Sequence, residues 1–92
     1  MNFKERMIFA KALKTYGETA QIFMVMEEVA ELQKELCKNQ RGKSNRREIA
    51  EEIADVEIML DQMKVLHNIE EMTVEARNSK VARLNRRLEG LE

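Results

Sequence analysis

The 92-residue chain contains no proline and only three glycines. An all-β chain needs turn residues every few positions, so this scarcity argues against sandwiches and barrels and leaves helices. The apolar spacing agrees. Phe3, Met7, Ala10 and Leu13 recur near helical spacing and predict a helix over 3–16, closed at Gly17 by a left-handed glycine. A second helix is predicted over about 18–38, with the stripe Ile22, Val25, Val29, Leu32 and Leu36. Segment 39–44 is polar, contains Gly42 and reads as a loop. Asn45 followed by Glu48 has the spacing of a capping box and opens a third helix that runs to about Leu66, with His67-Asn68 as its stop. A fourth helix over about 70–88 carries Val81, Leu84 and Leu88. The expected architecture is all-α, a four-helix bundle in one domain over 1–92.

Charge narrows the partners. Sixteen Lys+Arg against seventeen Asp+Glu give a formal charge of −1, so no global field draws the chain onto DNA or anionic lipid. Aromatics are 4% with no tryptophan, which argues against base-stacking platforms. No uncharged run approaches the roughly 20 residues needed to span a bilayer, and the first residues lack a signal-peptide core. With a lone Cys37, a reducing cytoplasm is the expected compartment. A chain this short buries only about 60–65% of its unfolded surface, so self-association is expected. The seven methionines suit adaptable helix interfaces.

Two acidic clusters carry the candidate chemistry: Glu27-Glu28-x-x-Glu31 on helix two and Glu51-Glu52-x-x-Asp55 on helix three. Residues three apart on a helix are surface neighbours, so Glu28 and Glu31 project together, as do Glu52 and Asp55. Like charges at this spacing cost a few tenths of a kcal/mol each. A hard divalent cation relieves the conflict, because Mg²⁺ takes oxygen ligands and keeps waters for a substrate phosphate. The alternative is a solvated acidic face. On helix two the arc of Glu27, Glu28 and Glu31 lies opposite the apolar stripe, where water is expected. On helix three Glu52 borders the stripe Ile49, Ile53, Val56, Leu60 and Met63, which suggests a cleft floor. Periodicity alone leaves the two readings balanced. A di-iron bundle needs two Glu-x-x-His pairs, whereas the single histidine, His67, follows Lys64 by three. Zinc lacks its usual Cys and His donors.

The paired pattern Glu27-Glu28-x-x-Glu31 … Glu52-x-x-Asp55 resembles the MazG-like, all-α nucleoside triphosphate pyrophosphohydrolases. Tyr16-Gly17-Glu18-Thr19-Ala20-Gln21 precedes the first cluster as in small phage- or prophage-type members. The run 51–60 looks like the second motif, and 80–88 is similar to the basic terminal helix. The resemblance spans about Tyr16 to Leu88. It implies that Glu28, Glu31, Glu52 and Asp55 bind Mg²⁺, with Mn²⁺ as a substitute. Glu27 would orient or deprotonate the attacking water, directly or through the metal. The implied reaction cleaves an NTP or dNTP between the α- and β-phosphates, giving the monophosphate and pyrophosphate, in a homodimer or homotetramer that completes the pocket.

Lys80, Arg83 and Arg87, at i, i+3 and i+7, are candidates for binding the triphosphate or, equally, for ordinary ion pairing. Met24 and Met59 are placed either along a base pocket or in packing. The rival to the enzyme is a non-catalytic, homo-oligomeric helical interaction module. A nucleic-acid binder using the basic stretch 41–47 is disfavoured by the near-neutral charge.

Overall fold

The computed structural model describes residues 1–91, and these form four helices and no strands: α1 (Phe3–Tyr16), α2 (Glu18–Gln40), α3 (Arg46–His67) and α4 (Glu70–Leu91). The start of α1 is built by an Asn-x-x-Glu box. Asn2 Oδ1 accepts the Glu5 N–H at 2.8 Å, and the Asn2 N–H donates to Glu5 Oε1 at 3.0 Å. The same four-residue pattern at Asn45-x-x-Glu48 does not cap α3: the Asn45 side chain makes no capping bond. Its amide donates instead to the Glu35 carbonyl at 2.8 Å and to Glu35 Oε1 at 3.0 Å. A buried carboxylate has greater need of a donor than exposed helix N–H groups, which water can serve.

One residue joins α1 to α2. Gly17 has φ 91° and ψ 146°, a positive-φ extended conformation rather than the expected left-handed helical one, and only glycine adopts it without strain. Asn68 ends α3 in the left-handed conformation (φ 54°, ψ 50°), which asparagine tolerates. Helices α2 and α3 pack along one another as an antiparallel hairpin. Glu35 meets Asn45 and Glu28 meets Glu52, so seven residues back along α2 match seven forward along α3. Helix α1 lies against both.

The inward faces coincide only in part with the predicted stripes: Leu13 is buried, and Ile22, Val25, Leu32, Ile49, Val56 and Met63 are half-buried. In α1 the buried apolar residues are Phe9 and Leu13, while Phe3 and Met7 are exposed. In α2 the buried residues are Gln21 and Glu35, whereas Val29 and Leu36 of the predicted stripe are nearly half exposed. In α3 Met59 and Gln62 are buried, and Ile53 and Leu60 face outward. Among the described residues α4 has no buried residue, and its backbone packs only against α3. Its first residue is nonetheless held, since Glu70 pairs with Arg6 of α1 and with the terminal ammonium of Met1. The chain is therefore drawn out, with a Cα radius of gyration of 16.2 Å and extents of 49 × 34 × 22 Å. A compact chain of this length has a radius near 12 Å.

Candidate metal centre

The α2–α3 hairpin turns part of its acidic arcs toward each other. Glu28 from α2 and Glu52 and Asp55 from α3 each offer a carboxylate oxygen, and the three oxygens lie within 4.8 Å of one another. Glu28 and Glu52 are half-buried and Asp55 is exposed, so the cluster is partly covered and open to solvent at Asp55. Glu28 therefore does not occupy the water-facing arc expected of it. The hairpin is seated on the 21–28–35 row of α2, which places a carboxylate where a core residue would ordinarily sit.

The electrostatics follow from the packing. Burial, followed by the charges of Asp55, Glu52, Glu31 and Glu27, pushes the Glu28 carboxyl above its ordinary value of 4.5. Glu52 is raised by burial and then by Asp55, Glu31, Glu35 and Glu51. Glu52 Oε2 is shut off from solvent and has no hydrogen-bond donor. An acceptor left alone beside two further carboxylates is a site short of positive charge. Hard oxygen donors converging in this way suit a divalent cation such as Mg²⁺ or Mn²⁺, and neither His67 nor Cys37 belongs to the cluster. The donor set and the orphaned oxygen thus fit a hard metal ion.

Of the four expected ligands, three converge. Glu31 is exposed and stands outside the trio, although its charge reaches both Glu28 and Glu52. Glu27 is exposed on the rim next to Glu28. Lys80, Arg83 and Arg87 are all exposed on α4 and are not brought to the carboxylates within the chain. Met59 is buried in the packing of the three helices, and Met24 is half-buried.

Glu35 escaped the sequence reading, and Asn45 was read only as a cap. Glu35 is only 8% exposed, and Asn45 is 1% exposed. Lys38 donates to Glu35 Oε2 at 3.2 Å, and Asn39 donates to Asn45 Oδ1 at 3.2 Å, which closes a polar clamp at the hairpin end. The Asn45 bond, ahead of the Lys38 charge, holds the Glu35 carboxyl below its ordinary value. Glu35 sits seven residues after Glu28 and so on the same helix face, a signal present in the sequence. The clamp also takes up part of the basic loop, and Arg47 pairs with Glu51 at 3.3 Å.

No protein-family model, no curated protein and no solved structure matches the chain. Among the described residues, no helix is long and apolar enough to cross a membrane.

Proposed function

We propose that this protein is a divalent-metal-dependent nucleoside triphosphate pyrophosphohydrolase of the MazG-like kind, acting as a homo-oligomer in the cytoplasm. The convergence of Glu28, Glu52 and Asp55, with Glu52 Oε2 left without a donor, carries this reading. The motif resemblance in 16–88 supports it. Glu28, Glu52 and Asp55 would hold Mg²⁺ or Mn²⁺, with Glu31 adding its negative charge beside them. When bound, such an ion neutralises phosphate oxygens and acidifies a coordinated water.

The rest of the chemistry belongs to the chain. Glu27, beside Glu28 and open to solvent, orients the attacking water and takes up its proton. The hairpin keeps the carboxylates fixed, which matters because phosphoryl transfer depends mainly on alignment and charge stabilisation. Water adds at the α-phosphorus and the bond to the α–β bridging oxygen breaks. The nucleotide leaves as its monophosphate, with pyrophosphate as the other product.

Self-association is supported by surface area. The chain exposes 7501 Å². A compact monomer of its mass exposes about 5,500 Å², so each chain carries roughly 2,000 Å² in excess. That amount, doubled, falls in the range of obligate homodimer interfaces.

The test is a panel of NTPs and dNTPs with Mg²⁺ and pyrophosphate detection. At least one should be cleaved, and Glu52→Gln should lower turnover at least about a hundredfold while the helical signal is kept. The exposed apolar surface also favours the second reading, a non-catalytic homo-oligomeric interaction module. Such a module is inert with every nucleotide, and its melting temperature does not respond to millimolar Mg²⁺.

A further inference from the structure

We infer that Gln62 reads the base of a pyrimidine nucleotide, in the core layer two helical turns along the hairpin from the carboxylate cluster. The inference rests on the nucleotide-site reading of that cluster and adds which nucleotides it takes.

This layer repeats the carboxylate cluster seven residues on. Adding seven to Glu52 and Asp55, and taking seven from Glu28, gives Met59, Gln62 and Gln21. Side chains seven apart share a helix face. The antiparallel register that joins Glu28 to Glu52 and Asp55, and Glu35 to Asn45, therefore sets Gln21 level with Met59 and Gln62. The two layers differ in burial. Gln21, Met59 and Gln62 are 6%, 6% and 5% exposed, whereas Asp55 is open to solvent.

The Gln62 amide is unsatisfied. Its Oε1 is shut off from solvent and has no hydrogen-bond donor. Its Nε2 donates to the Met59 thioether at 3.8 Å, and sulfur is a weak acceptor. A buried amide in this state lowers stability, and an apolar side chain of the same size would not. What satisfies it is a group with an N–H donor beside an acceptor. Uracil and thymine present N3–H beside O4, and cytosine presents its amine beside N3. A half-turn of the amide matches either order.

Size selects the pyrimidines. Met59 fills the layer, and its unbranched side chain turns aside more readily than a branched or aromatic one. The end of one methionine gives up room for a single ring, whereas a two-ring purine needs further movement of Gln21 or the backbone. The displaced thioether then lies against the ring, a favourable contact for sulfur. Met24, half-buried on the row between Gln21 and Glu28, offers a second thioether. The reach also agrees. At 1.5 Å per residue, Gln62 stands about 10 Å from Asp55 along α3. A nucleotide with its α-phosphate at the carboxylates spans that distance with its sugar and base.

The experiment compares turnover of dUTP, dCTP, dATP and dGTP with Mg²⁺ in the wild type and in Gln62→Met. This change removes both hydrogen-bonding atoms at nearly constant volume. By kcat/KM, the wild type should favour the pyrimidine nucleotides at least about tenfold. Gln62→Met should lower the pyrimidine values at least about tenfold and leave the purine values within about threefold. A purine preference, or an equal loss on all four, overturns the inference. Equal loss is the result expected of an amide that only packs or holds a buried water.

A second arm records ¹⁵N spectra of the wild-type side-chain amides, which decide the matter even if Gln62→Met does not fold. With Mg²⁺, α,β-imido-dUTP should shift the Gln62 amide pair, and α,β-imido-dATP at the same concentration should not. A Gln62 shift in a protein that cleaves no nucleotide keeps the base seat and overturns the hydrolase reading. Turnover without that shift overturns the base seat alone, and the absence of both overturns both.

Discussion

Dilution tests directly whether the folded chain depends on a second copy. Among the described residues, Phe9, Leu13 and Met59 are the only large apolar residues buried within one chain, whereas seventeen are exposed. If folding and association are one event, unfolding releases two chains, and the free energy of unfolding per dimer depends on concentration. A hundredfold dilution lowers it by RT ln 100, which is about 3 kcal/mol near 60 °C. At about 2.1 cal/mol/K per residue, two chains of this length carry an unfolding entropy of roughly 0.4 kcal/mol/K. The melting temperature should therefore fall by about 8 °C between roughly 100 and 1 µM protein. Circular dichroism at 222 nm in cells of different path length covers that range. A melting temperature unchanged across it, together with a monomeric mass in light scattering, would refute the argument that the exposed stripes are interface.

Further outcomes are expected from the cluster and the clamp. In EDTA, Glu52→Gln should raise the melting temperature, because it removes a charge already disfavoured by burial and by Asp55, and it should also abolish the Mg²⁺-dependent rise; a lower metal-free melting temperature would count against a cluster under repulsion. Asn45→Ala should cost about 2–3 kcal/mol in urea unfolding through the loss of its buried hydrogen bonds, with little change in the helical signal of the folded protein. The pH dependence without metal has two limbs. Glu28 and Glu52 are raised, so between 4.5 and their folded values the folded state binds more protons, and stability should grow as pH falls from neutral toward 4.5. Glu35 and Glu70 are lowered, the latter by the Arg6 hydrogen bond first, so their stabilisation is present above 4.5 and is lost as pH falls below it. A melting temperature that falls steadily from neutral to pH 4.5 in EDTA would contradict the first limb.

Most helix limits were legible in the sequence because they depend on local chemistry. Gly17, Gly42 and Asn68 interrupt the helical runs at the places where the backbone takes positive φ. The candidate carboxylates were legible for a similar reason, since spacing of three or four residues makes neighbours on any helix. Glu28, Glu52 and Asp55 could thus be named before their meeting was visible. The face that each helix turns inward could be read only in part. The apolar stripes of α1, α2 and α3 each contain residues left open, and the inward face of α2 also takes in Gln21, Glu28 and Glu35.

Periodicity establishes which side chains share a face, because a helix's geometry is set by its own backbone bonds. It carries no information about which neighbour that face meets when two faces are both partly apolar. Only the packing of α2 on α3 decided that a carboxylate row would point inward, that Asn45 would leave its cap for Glu35, and that α4 would stand clear of its own chain. These outcomes depend on contacts between residues far apart in sequence, whose relative energies no local pattern records.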